Sequence, residues 1–211
     1  MIRMAEIGWI AGFLEGEGYF ELRHARIDVE QVEYDPIGRL SNLFGGTCTK
    51  RQREGKREIN RWRLYPETSL RVMKTIRPFM SEKRKKEIER CLESRNEVKP
   101  LEIGDGKWEI GWIAGFLEGE GSFRLYEHGG VEIKATQVEY DPIRRLIEML
   151  GGNYYLYERS PRAINIWTVK GIMAVRVMKA IEPMMSGKRR EEIERCLRGW
   201  NGKRGDEKFG G

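Results

Sequence analysis

The chain has 211 residues, 39% of them hydrophobic, which suits one or two domains with a real core; 39 Lys and Arg against 33 Asp and Glu leave a net charge of +6 at pH 7. With a pI near 9.2 this points to an anionic partner, and the excess sits in the first half: up to Lys99 there are 21 basic and 16 acidic residues, beyond it 18 and 17. Cys48, Cys91 and Cys196 are an odd set without Cys-x-x-Cys spacing, which argues against a disulfide framework and a zinc site, and no apolar run reaches membrane-spanning length. The expectation is a reduced, intracellular protein, in the cytoplasm of a prokaryote or in an organelle, with no membrane partner.

The first element is a helix over Ile7-Gly8-Trp9-Ile10-Ala11-Gly12-Phe13-Leu14-Glu15-Gly16-Glu17-Gly18, which returns unchanged as Ile110 to Gly121. Gly8, Gly12 and Gly16 form a bare stripe at i, i+4 and i+8, although each interior glycine costs about 1 kcal/mol against alanine. A bare stripe lets another backbone approach, and the matching stripe is Gly111, Gly115 and Gly119. Two such helices packed about a local two-fold axis would bring Glu17 and Glu120 side by side, each facing the negative end of its own helix. A divalent cation would relieve that repulsion, with the Gly16 and Gly119 carbonyls as further donors.

After the helix, Tyr19 to Ala25 reads as a strand with Phe20 and Leu22 on one face, and Ile27 to Val32 as the next. Tyr34-Asp35-Pro36 opens a helix carrying Ile37, Leu40, Leu43 and Phe44 and ending at Gly45-Gly46. Strands Thr47 to Arg53 and Glu58 to Tyr65 follow, with Trp62 and Leu64 alternating with Arg61 and Arg63. A helix from Glu67 to Ile76 stops at Pro78, and Ser81 caps a last helix through Ser94 whose buried side is Ile88 and Leu92. The second half repeats this order: Val138-Glu139-Tyr140-Asp141-Pro142 answers Val32 to Pro36, Gly151-Gly152 answers Gly45-Gly46, and Asn165 and Trp167 answer Asn60 and Trp62. The organisation is therefore a repeat at 1–95, a linker at 96–107, a second repeat at 108–200 and a polar, glycine-rich tail at 201–211 that reads as disordered.

Four antiparallel strands that pack one face on helices leave the other to solvent. In the first half that face is expected to offer Tyr19, Glu21, Arg23, Asp28, Glu30, Thr47, Thr49, Arg51, Arg53, Arg61 and Arg63. In the second it offers Ser122, Arg124, Tyr126, Glu132, Lys134, Asn153, Tyr155, Tyr157, Arg159, Ile166 and Thr168. Arg, Lys and Asn are side chains that read base edges in the major groove, and Glu or Asp accepts from cytosine. Two such sheets would span roughly 20 base pairs of double-stranded DNA, and because the faces differ residue by residue the site should be asymmetric.

Ile10 to Gly18 and its copy Ile113 to Gly121, in two matching frames, resemble the LAGLIDADG homing endonucleases in their single-chain, two-motif form. The resemblance implies an α+β fold, with two tandem αββαββα repeats forming a pseudo-two-fold saddle of antiparallel sheets on a central pair of packed helices. It implies a monomeric DNA-cutting enzyme that leaves short 3′ overhangs and uses Mg²⁺ or Mn²⁺ held by Glu17 and Glu120. By the same resemblance, Gln31 and Gln137 fit a polar position at the end of the second strand, ordering water. Lys83 and Lys188 fit a lysine near the scissile phosphates, although Lys83-Arg84-Lys85-Lys86 and Lys188-Arg189-Arg190 also read as solvated helix faces. The alternative on the same scaffold is an RNA maturase acting on its host intron, or a regulator that binds DNA without cutting. The start at Met1 and the absence of a C-terminal His-Asn favour an intron-encoded, free-standing protein over an intein.

Overall fold

A computed structural model describes residues 1–52, 57–93, 95, 98–158 and 162–202. The chain forms two compact units, Met1–Gly119 and Glu120–Gly211.

The first unit holds both duplicated helices, α1 (Met4–Glu17) and nearly all of α5 (Glu109–Glu120). Their glycine stripes meet, as the spacing predicts. A Cβ on Gly12 would lie 2.8 Å from the Phe116 amide nitrogen and closer still to the Trp112 carbonyl oxygen. The contact is reciprocal, since a Cβ on Gly115 would lie 2.8 Å from the Phe13 nitrogen and press on the Trp9 oxygen. Gly8 and Gly111 face Trp108 and Ala5 in the same way. Backbone contact of this kind offsets the helical cost of the glycines. Trp9 stacks on Phe13 and Trp112 on Phe116, at 5.1 Å in each case, so the aromatic side chains fill the space beside the stripes.

The rest of that unit is β1 (Gly18–Glu21), β2 (Arg26–Gln31), α2 (Tyr34–Phe44), β3 (Thr47–Arg51), β4 (Ile59–Leu64), α3 (Pro66–Ile76) and α4 (Glu82–Leu92). The antiparallel sheet has the order β1-β2-β4-β3. Phe20, Ile27, Val29, Trp62 and Leu64 bury its inner face under the helices. Strand β1 is shorter than the alternation suggested. Leu22 is 54% exposed, because the Glu21 carboxylate accepts the Arg23 and His24 amides at 2.9 Å and turns the chain. The last helix ends at Leu92 and buries Cys91 with Ile88 more fully than Leu92. The described part of the linker is tied down: Ile2 bridges Ile103, and Leu101 donates to Thr75 Oγ1 at 2.8 Å.

The second unit repeats the plan with β5 (Gly121–Leu125), β6 (Val131–Gln137), α6 (Tyr140–Leu150), β7 (Asn153–Tyr157), β8 (Ile164–Lys170), α7 (Gly171–Ile181) and α8 (Gly187–Gly199), in the sheet order β5-β6-β8-β7. The repeated landmarks are fasteners. Gly45 and Gly46 take φ of 70° and 90° to end α2, and Trp62 Nε1 donates to the Gly45 carbonyl at 2.8 Å; Trp167 does the same to Gly151 at 2.7 Å. Asn60 and Asn165 donate to the Val32 and Val138 carbonyls at 2.8 and 2.7 Å, closing the strand ends. Of the expected tail, Asn201 is held by the β5–β6 turn, where Nδ2 donates to the His128 carbonyl at 2.8 Å, and 203–211 lie outside the described residues.

Candidate active site and nucleic-acid interface

Each motif helix runs into a strand without a loop, so its last carboxylate stands where helix meets sheet. Gly18 is both the cap of α1, donating to the Leu14 carbonyl, and the first residue of β1. Glu17, half-buried, lies against the last turn of α5: a Cβ on Gly119 would sit 2.9 Å from its Cγ and 3.3 Å from its Oε1. A side chain at Gly119 would make the Glu17 side chain shift from this position. Gly16 and Gly119 occupy final helical turns, where carbonyls lack intrahelical partners. In the second unit Gln137 Nε2 donates to Glu120 Oε1 at 2.9 Å, bringing two of the expected site residues together. Gln31 holds the matching register position, opposite Asn60 as Gln137 is opposite Asn165. Carboxylates and carbonyls at the negative ends of helices are hard oxygen donors, a set that fits Mg²⁺ or Ca²⁺ better than zinc.

One acidic residue of the motif has a purely internal use. Glu15 is 3% exposed, and its carboxylate accepts Ser81 N–H at 2.8 Å and Ser81 Oγ–H at 2.7 Å, while Arg84 Nε donates to the Glu15 carbonyl at 3.2 Å. The start of α4 is thereby bolted to the end of α1. Lys83 is the second residue of α4 and is exposed; Lys188 holds the same place in α8. Sequence reasoning treated Ser81 only as a cap and gave Glu15 no role.

Glu17 also opens on a cavity of about 370 Å³, lined with Tyr19, Asp28, Glu30 and Arg61 on the polar face of the first sheet. Strand register sets this face in rows, Tyr19-Asp28-Arg63-Thr47 and Glu30-Arg61-Thr49, with Arg51 beyond them on the exposed edge strand. Three expected contacts change character. Arg23 lies in the turn after β1 rather than on the strand. Glu21 is spent on that turn: desolvation pushes its pKa up, but the His24 and Arg23 hydrogen bonds win and hold it below the ordinary value. Asp28 is only 4% exposed, because Arg63 Nε donates to Oδ1 at 2.9 Å and Arg61 Nη2 to Oδ2 at 3.2 Å. The hydrogen bond to Asp28 in turn raises the Arg63 pKa. Arg53 lies outside the described residues.

On the second sheet the corresponding rows are Ser122-Lys134-Thr168-Asn153 and Thr136-Ile166-Tyr155, followed by Arg124-Glu132-Lys170. Tyr155 and Tyr157 are 53% and 45% exposed on β7. Glu132 and Thr168 are buried, against expectation, and Lys170 Nζ lies 3.6 Å from Glu132 Oε2. Tyr126 sits just past β5 and stacks on His128; burial first, and then the Glu132 charge, raise its pKa. Ile166 is half-buried, and Arg159 is outside the described residues. Arg26, Thr136 and Lys170 share these faces and were missed, although the two-residue alternation through Asp28, Lys134 and Thr168 leads to each of them.

No family model and no curated protein matches the sequence. Solved structures do. The LAGLIDADG meganuclease I-AabMI, bound to uncleaved DNA, matches with a TM-score of 0.60 at 14% identity, over 91% of this chain and 89% of that one. The LAGLIDADG homing endonuclease I-GzeII, in complex with its DNA target, matches with 0.59 at 11% identity, over 91% and 88%. The chain has the fold of the LAGLIDADG homing endonucleases. I-SmaMI, bound to an uncleaved DNA target in the presence of calcium ions, shares it too, with 0.57 at 15% identity over 91% and 89%. The glycine-striped helices and the two four-stranded antiparallel sheets are those that the resemblance implied.

Proposed function

We propose that the protein is a site-specific homing endonuclease that makes a divalent-metal-dependent double-strand break in a long, asymmetric DNA target of roughly 20 base pairs and leaves short 3′ overhangs. It would act as a monomer encoded within an intron. The supporting observation is the reciprocal contact of the duplicated helices, which sets the Glu17 side chain against Gly119, the residue before Glu120. The helix dipole disfavours an acidic residue at that end, yet both motif helices carry one there.

In this reading Glu17 and Glu120 hold Mg²⁺ or Mn²⁺, with the Gly16 and Gly119 carbonyls as further oxygen donors. Bound metal supplies charge stabilisation for the attacking and leaving oxygens of an in-line displacement. Gln137, hydrogen-bonded to Glu120, and Gln31 at the matching position orient water. Lys83 and Lys188 add positive charge at helix N-termini, where a phosphate is favoured, and offset the charge that builds on the phosphoryl oxygens. The two polar sheet faces supply the base contacts.

The test is to incubate the purified protein with a randomised DNA library, with and without Mg²⁺, and to sequence the cut ends. Cutting only with Mg²⁺, at one asymmetric site, is the expected result. Enrichment without cutting would replace this reading with a regulator, and no DNA selection would turn attention to RNA.

A further inference from the structure

Asp28 is out of place on a surface that meets phosphates. It is a carboxylate on the polar face of the first sheet, at the centre of the row Tyr19-Asp28-Arg63-Thr47, yet only 4% exposed. Both of its oxygens are engaged, by Arg63 Nε at 2.9 Å and Arg61 Nη2 at 3.2 Å, and Arg61 Nε lies 3.7 Å from Glu30 Oε1. A long arginine on a bare strand samples many rotamers and loses that freedom on binding. Here two guanidiniums share one buried anchor before any ligand arrives. Because Asp28 takes Arg63 through Nε, the two terminal amino groups of Arg63 remain to donate together. Such a pair of donors matches the O6 and N7 acceptors of guanine in the major groove.

At these register positions the second sheet has no such device; its own buried carboxylate, Glu132, lies in a different row, beside Arg124 and Lys170. The same register positions carry Lys134, Thr168 and Ile166 in place of Asp28, Arg63 and Arg61. Neither Thr168 nor Ile166 carries a charge, and a single lysine donates as a point charge rather than a planar fork.

We propose that Asp28 is a positioning residue for base recognition, which holds Arg63, and with it Arg61, in the orientation that selects guanine in the half-site read by the first sheet. This rests on the proposed function, and it adds that guanine selection at these register positions belongs to one half of the target and depends on a residue that touches no base.

The experiment is a binding selection from a randomised DNA library, comparing the wild-type chain, Asp28→Asn and Arg63→Lys, with thermal unfolding recorded for each. Asp28→Asn keeps the shape and removes the charge that fixes both arginines; Arg63→Lys keeps the charge and removes the fork. The wild type is expected to enrich guanine at one or two positions of one half-site, and each variant to lower that enrichment about tenfold. Preferences in the other half-site should stay as they are. If Asp28→Asn does not fold, Asp28→Glu, which keeps the charge and displaces it by one methylene, takes its place and should lower the same enrichment. Unchanged guanine enrichment in the folded variants overturns the proposal. So does a uniform rise in affinity for all sequences in Asp28→Asn, which would make Asp28 a repulsive charge and not a positioner. A wild type that selects no DNA would sink the proposed function itself, a result distinct from a wild type that selects DNA without guanine in one half.

Discussion

The two sheets share strand order and register row for row, but not chemistry. Where the first presents Asp28 with Arg61 and Arg63, the second presents Lys134 with Ile166 and Thr168, and the Glu21–Arg26 pair of the first is reversed as Arg124–Glu132 in the second. The duplicated helices behave oppositely, since Ile7 to Gly18 and Ile110 to Gly121 are identical. The contrast separates two demands. Reciprocal backbone contact leaves no room for a side chain at Gly8, Gly12, Gly111 or Gly115, whereas the sheet faces carry different side chains at matched positions.

Variants can break this symmetry where it should hold. Gly12→Ala and Gly115→Ala should each destabilise the protein by about 1–3 kcal/mol, even though alanine favours a helix, because each new Cβ presses on the partner backbone. The two losses should be nearly equal in thermal unfolding, at about 2–4 °C per kcal/mol. A stabilised Gly12→Ala would mean that the stripes do not touch. Ser81→Ala removes the hydroxyl donor of the buried Glu15 carboxylate, at a cost of about 1–3 kcal/mol. Since α4 carries Lys83, cleavage should fall by more than the lost stability explains, measured well below the melting temperature.

A smaller effect sharpens the difference between the sheets. Cys91 and Cys196 are matched, buried, and have pKa values raised first by that burial, so both thiols stay protonated and slow to react at neutral pH. Cys48 is exposed on β3, where the second sheet has Tyr154. Alkylation of the native protein at pH 7 should modify Cys48 alone at an appreciable rate, and two or three fast thiols would contradict the burial.

The elements and their order were legible because the repeat doubled every signal: glycine period, Gly-Gly stops, and Trp62 and Trp167 at the same strand position. Legibility ended where a side chain bonds across the sequence. The alternation put Asp28 and Glu132 on a polar face correctly, but Asp28 is buried by arginines more than thirty residues away, and the buried Glu132 lies beside Lys170, also more than thirty residues away. The short first strand escaped for a related reason, because the Glu21 side chain competes with strand pairing for the Arg23 and His24 amides. The bolt from Glu15 to Ser81 spans 66 positions and left no periodic trace.

The most direct test of the account is the cleavage rate of the selected target with Mg²⁺ by the wild type, Glu17→Gln and Glu120→Gln, with binding measured in parallel. Each variant should lose double-strand cutting by about a hundredfold or more while keeping specific binding, since a bound metal commonly supplies several kcal/mol of transition-state stabilisation. Cutting at the wild-type rate in both variants would contradict it.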